Sequence, residues 1–113
     1  NQTIYEPNEI SGYKGVDFNT PSFYSVGKAG VIHLTKYLAT YWAKKNVRVN
    51  CISPGGLFNN QKEPFYSEYI AKTPLGRMAS HDDMKGVALF LASDASSYMN
   101  GANLIMDGGR TVW

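Results

Sequence analysis

The chain has 113 residues, room for one small domain, and its 43% apolar and 18% charged residues are an ordinary globular balance that excludes a disordered tail. Its net charge of +2 comes from scattered lysines and arginines, so no basic stripe marks a nucleic-acid interface, and no apolar run is long enough to span a membrane. One cysteine, Cys51, excludes an internal disulfide and suits a reducing cytoplasm, where it is expected as a small hydrophobe on a strand.

Residues 1–22 are polar and turn-rich, with Pro7, Gly12, Gly15 and Pro21 and no sustained helical or strand period. They lack the basic start and apolar core of a signal peptide. With no initiating methionine, the chain reads as processed or cut from a longer one. An irregular excursion at the mouth of an active site is expected here, since long loops in compact domains tend to be functional.

Ser22 is the expected N-cap of a helix over Phe23–Lys45, with Val31, Leu34, Tyr37, Leu38, Tyr41 and Trp42 as its apolar stripe. Tyr24 and Lys28 lie at i and i+4 and so share one helix face. Two readings are open for them. They form an amphipathic surface pair, or they form a chemical pair in which the ammonium favours the phenolate and lowers the tyrosine pKa from about 10, fitting it for proton transfer. His33 has no acidic or cysteine partner at ligand spacing and reads as a packing or surface residue, and no metal site is expected.

Asn46 closes the helix, and Val47–Ser53 reads as a β-branched, largely apolar strand. A helix, a tight turn and a strand in this order predict an α/β unit with a parallel sheet. The strand stops at Pro54-Gly55-Gly56, where the backbone is free to approach a ligand or take a positive φ; a plain turn is the other reading. A short helix is expected over Pro64–Lys72, its aromatic face either packing on the body or, as favoured, closing over a substrate as a mobile lid. Ser80 and Asp83 form a capping box for a helix through Met84, Val87, Ala88, Leu91 and Ala92. Asp82 and Asp83 are first-turn charges rather than a catalytic dyad. A second strand is expected over Asn103–Asp107, ended by Gly108-Gly109.

Six features in order resemble the C-terminal half of the classical short-chain dehydrogenases/reductases. They are Tyr24-x-x-x-Lys28, Arg48-Val-Asn50-x-x-x-Pro54-Gly55, Pro74-Leu-Gly-Arg77, Leu89-Phe-Leu-Ala-Ser93, Tyr98-Met-Asn-Gly101 and Asp107-Gly-Gly109. The resemblance covers Phe23 to Gly109. It implies an α/β fold, the C-terminal half of a Rossmann-like doubly wound parallel sheet with two strands, two main helices and a short lid helix. Residues 1–113 would then be a partial NAD(P)-binding domain without its N-terminal half. It implies hydride transfer with NAD or NADP, Tyr24 as general acid/base, and Lys28 binding the ribose hydroxyls while lowering the Tyr24 pKa. Pro54, Gly55, Gly56 and Leu57 would lie along the nicotinamide. A homodimer or homotetramer is implied, with the Tyr37, Tyr41 and Trp42 face at a subunit interface.

The chain also departs from the family pattern. The Gly-rich dinucleotide fingerprint and the Asn-Asn-Ala-Gly segment are absent. The family's serine, thirteen residues before the tyrosine, would be Ser11, which does not end an apolar strand. Asn59 stands where a threonine often meets the nicotinamide amide. Ile4-Tyr-Glu6, Ile32-His-Leu-Thr-Lys-Tyr37 and Pro54-Gly-Gly-Leu-Phe-Asn-Asn-Gln61 are similar to reductases of bacterial surface-sugar pathways, which implies a sugar or nucleotide-sugar substrate. The rival readings are an epimerase or dehydratase of the extended branch, and a non-catalytic remnant used for subunit contacts.

Overall fold

The computed structural model describes residues 20–112. Most of the expected N-terminal loop, including Ser11, lies outside the described residues. The element order is α1 (Ser22–Tyr41), β1 (Cys51–Pro54), α2 (Phe65–Ala71), α3 (His81–Ala92) and β2 (Asn103–Met106), with 3-10 turns at Ala43–Lys45 and Asp94–Ser96.

Helix α1 starts one residue early. Pro21, not Ser22, is its cap; the Pro21 carbonyl accepts the Tyr24 N–H at 2.9 Å and no side chain caps the end. The helix also stops short of Lys45. After Tyr41 the chain tightens into the 3-10 turn, and Asn46 takes the left-handed conformation at φ 58° with its N–H on the Ala43 carbonyl.

β1 and β2 pair in parallel, Cys51 opposite Asn103 through Pro54 opposite Met106. The expected start of β1 at Val47 is corrected to Cys51, because before that point one backbone bond, Gly101 N–H to the Val49 carbonyl at 2.7 Å, is flanked by side-chain bonds instead of a ladder. The Val49 N–H donates to Asn100 Oδ1 and the Ala102 N–H donates to Asn50 Oδ1. Pro54 belongs to the strand after all. Cys51 and Gly55 donate to the Ala102 and Met106 carbonyls, and the alternation of a parallel ladder leaves Pro54 where no donor is needed. Cys51 is half-buried on this strand.

The capping box holds: the Asp83 N–H donates to Ser80 Oγ, and the Ser80 N–H donates to Asp83 Oδ2 at 2.7 Å. Arg77 adds a fork onto the same carboxylate, at 2.7 and 3.0 Å. These bonds hold the Asp83 carboxyl well below the usual carboxylate range and push the Arg77 guanidinium up.

Few side chains are fully buried. Ala39, Tyr69 and Met78 are the buried apolar residues and Thr35, Thr73 and Ser96 the buried polar ones among those described. Arg48 stitches the second half together. Its Nη1 donates to the Ser96 and Met99 carbonyls, and its Nη2 to those of Leu91 and Ser93, so one guanidinium closes the end of α3 against the approach to β2. Helix α1 touches this body through its C-terminal half, where Asn100 Nδ2 donates to the Ala39 carbonyl at 2.9 Å. The expected stripe is largely uncovered, with Val31, Leu34, Tyr37 and Tyr41 all exposed.

Candidate functional site

The carboxyl ends of two parallel strands face one way, and loops leaving them enclose the space where α/β sheets bind ligands. Here an open cavity of about 180 Å³ lies at that end. Gly55 and Gly56 after β1, and Asp107 and Gly108 after β2, form one wall. Tyr69, Leu75, Arg77, Ala79, Asp83 and Met84 close the rest.

The turn after β1 is tightly built. Gly56 accepts the Ala79 N–H at its carbonyl at 2.8 Å, and its own N–H donates to the Tyr69 hydroxyl. A parallel bridge joins Leu57 to Ala79. Neither Gly55 nor Gly56 takes a positive φ, so that expectation is corrected. What requires glycine is close approach. A Cβ on Gly56 would come within 2.6 Å of the Tyr69 ring, and one on Gly55 within 2.9 Å of the Asp107 backbone. The close neighbours are the protein's own tyrosine and its second strand end.

Tyr69 is the centre of this corner. It is 9% exposed. The Arg110 guanidinium lies 4.2 Å above its ring, and its carbonyl accepts from Arg110 Nη1 and from Thr73 Oγ1 at 3.2 and 3.0 Å. The aromatic face of α2 therefore packs on the body at Tyr69, where a mobile lid was favoured, because a buried phenol and a buried threonine anchor it. Phe58 and Tyr66 meet edge to face at 5.5 Å on its outer side. Asp107 caps the turn after β2. Its carboxylate accepts from the Thr111 hydroxyl and from the Gly109 and Thr111 N–H groups, which holds its pKa below the ordinary value, the Thr111 hydroxyl contributing most.

Tyr24 and Lys28 are one turn apart on α1, with Lys28 Nζ 5.5 Å from the Tyr24 ring centroid. Tyr24 is 52% exposed. Neither residue lines the cavity, nor do Pro54 and Leu57. The described residues thus bring Gly55 and Gly56 to the strand-end cavity and keep Tyr24 with Lys28, but they do not join the two groups. His33 is exposed on α1, and no group of His, Cys, Asp or Glu suited to a metal ion occurs among the described residues. No described helix is long and apolar enough to cross a membrane. Sequence reasoning gave no separate role to Tyr69 or Arg110, and held Arg48 only as a motif residue. For Tyr69 one signal was available, its i,i+4 spacing to Thr73 at the end of a short helix.

A family model described as enoyl-(acyl carrier protein) reductase matches residues 10–111. The chain belongs to the short-chain dehydrogenase/reductase family. It is 40% identical to the NADH-dependent L-xylulose reductase of Ambrosiozyma monospora, over 92% of this chain and 42% of that protein. It is 42% identical to the ribulose-forming D-arabinitol 2-dehydrogenase of Candida tropicalis, over 92% of this chain and 41% of that one. A short-chain dehydrogenase from Leptospira borgpetersenii, solved with bound NAD+, superposes with a TM-score of 0.80 at 51% identity, covering 91% of this chain and 42% of that one. The chain therefore spans about two fifths of the length of the relatives it matches. Within this family the two-stranded parallel sheet and its helices are the C-terminal part of a Rossmann-like domain, as the sequence implied.

Proposed function

We propose that this chain is the C-terminal part of an NAD- or NADP-dependent oxidoreductase that interconverts a hydroxyl and a carbonyl on a small polyhydroxylated substrate. The observation that carries the reading is the pairing of Tyr24 with Lys28 one turn apart on α1 of a short-chain dehydrogenase/reductase chain, whose two strands end together at a glycine-walled cavity. The substrate class rests on the names of the similar proteins, a pentulose reductase and a pentitol dehydrogenase.

A cavity of about 180 Å³, walled by Gly55 and Gly56, fits the nicotinamide end of a dinucleotide, and Lys28 offers donors to a ribose. The described residues include no Gly-rich strand-to-helix turn for the pyrophosphate, so an N-terminal half of the domain would hold that end. Pro54, Gly55, Gly56 and Leu57 would run along the nicotinamide. When bound, a reduced nicotinamide supplies the hydride. Tyr24 Oη gives the substrate oxygen its proton as the carbonyl becomes a hydroxyl, and takes it back in the oxidising direction. Lys28 stands its ammonium beside the Tyr24 ring and would orient the ribose. The single cysteine of this stretch, Cys51, is in keeping with a cytoplasmic enzyme, and the exposed Tyr37–Tyr41 face suits a dimer or tetramer.

The test is Tyr24→Phe in the native protein, assayed by oxidation of NADH and NADPH against pentuloses and nucleotide sugars. Turnover should fall at least a hundredfold while cofactor binding survives. Near-normal turnover removes Tyr24 from the chemistry. One observation favours a second reading, a non-catalytic subunit module: the N-terminal half of α1, which carries Tyr24, is exposed throughout. A native protein that binds neither cofactor supports that reading instead.

A further inference from the structure

We infer that Tyr69 is a positioning residue: its hydroxyl sets the Gly55-Gly56 turn against which the nicotinamide would lie, so helix α2 would help fix cofactor geometry. The inference rests on the proposed function for the role of that turn, and on the geometry for the rest.

Gly56 is held through both of its peptides: its carbonyl accepts from the Ala79 N–H, and its N–H, in the Gly55–Gly56 peptide, donates to Tyr69 Oη. The first bond is backbone to backbone and survives most substitutions. The second depends on one side-chain atom. That atom is itself immobilised, because the Tyr69 ring lies under Arg110 and the Tyr69 carbonyl is held by Thr73 and Arg110. The ring also fills the volume a Gly56 Cβ would need, so phenol and glycine are matched in shape as well as in hydrogen bonding. A turn whose orientation depends on a rigid aromatic residue from another helix is a preorganised wall. Losing the hydroxyl leaves the Gly56 N–H without its partner and lets the peptide rotate. Fold and catalytic pair stay as they are, and what changes is how well the turn matches the cofactor.

Tyr69→Phe in the native protein keeps the ring and the Arg110 stack and deletes only the acceptor. The dissociation constants of NADH and NADPH, read by nicotinamide fluorescence, should rise about tenfold. The KM for cofactor should rise in parallel, and kcat should stay within about threefold. Thr73→Val is the control for a purely structural role: it removes a bond that anchors the same helix but not the one to Gly56. It should lower the Tm and leave cofactor affinity within about twofold. Equal cofactor affinity in wild type and Tyr69→Phe overturns the inference, as does a loss of affinity in Thr73→Val as large as in Tyr69→Phe. Running Tyr24→Phe alongside separates the two claims. If it abolishes turnover while Tyr69→Phe binds normally, the functional reading stands and the positioning role falls. If wild type binds neither cofactor, both fall.

Discussion

Around Gly56 each element is tied to another: β1 to β2 by the ladder, the turn to Ala79 and Tyr69, and α2 to Arg110. Around Tyr24 the only described partner of the phenol ring is Lys28, on the same helix, and every residue from 21 to 31 is exposed. The two halves of the candidate site thus differ in how they are held. The strand-end corner carries its own support, whereas the proposed acid/base pair sits on a helix whose far end lacks a neighbour among the described residues. Stability and chemistry should therefore separate by region, and substitutions in the two regions should fail in different ways.

The largest separation is expected at Lys28. Lys28→Met should lower turnover of the native protein about a hundredfold, since a positioned cation at a reacting group contributes on that scale, while the Tm moves by no more than about a degree because the side chain's contact among the described residues is with the exposed Tyr24 ring. Parallel losses in both would mean that α1 is structurally supported where the described residues show no support. Arg48→Met should do the reverse. It strips donors from the Ser96, Met99, Leu91 and Ser93 carbonyls and should cost about 3 kcal/mol in denaturant unfolding. Folded enzyme carrying it should turn over normally.

Gly56→Ala should cost about 2 kcal/mol, because its Cβ would overlap the Tyr69 ring and that ring is pinned. A neutral result would show that Tyr69 is free to swing away. The smallest effect is expected at Asp83, whose pKa is lowered in the fold by Arg77 and the Ser80 cap. Its contribution is fully present above the unfolded carboxylate value near 4, and is lost as pH falls through the lower folded value. Asp83→Asn should therefore lower the Tm by a few degrees at pH 7, with the gap to wild type closing below about pH 4. A gap that does not narrow at all as pH falls below 4 would assign the effect to packing.

What the sequence showed and what it hid divide along range. The Ser80–Asp83 box was legible because cap and partner are three residues apart and their chemistry is local. The parallel pairing of β1 and β2 followed from the order of helix, turn and strand, and Tyr24 with Lys28 from helical spacing. Strand β1 was misplaced by several residues at its start, because Asn50 and Asn100 substitute for ladder bonds and propensity cannot see a side-chain partner 50 residues away. Tyr69 on Gly56 and Arg48 on four distant carbonyls are likewise tertiary facts. At Pro54-Gly55-Gly56 the sequence points to a backbone approached by a ligand, whereas the group that makes glycine necessary is a tyrosine that no local pattern near residue 56 announces.

Asn100 has a mechanical consequence. One side-chain amide clamps both α1 and the approach to β1, taking the Val49 N–H and giving to the Ala39 carbonyl. Tyr24 is fifteen residues along the helix from that clamp, a lever arm of about 22 Å. A tilt of about 5° at the clamp swings the phenol by about 2 Å, several times the tolerance of a proton-transfer geometry. A cantilever of that length is accurate only if its free end is seated. If Tyr24 has the proposed role, whatever covers residues 21–31 in the whole protein aims it, and mutations there should detune turnover without touching a reacting atom.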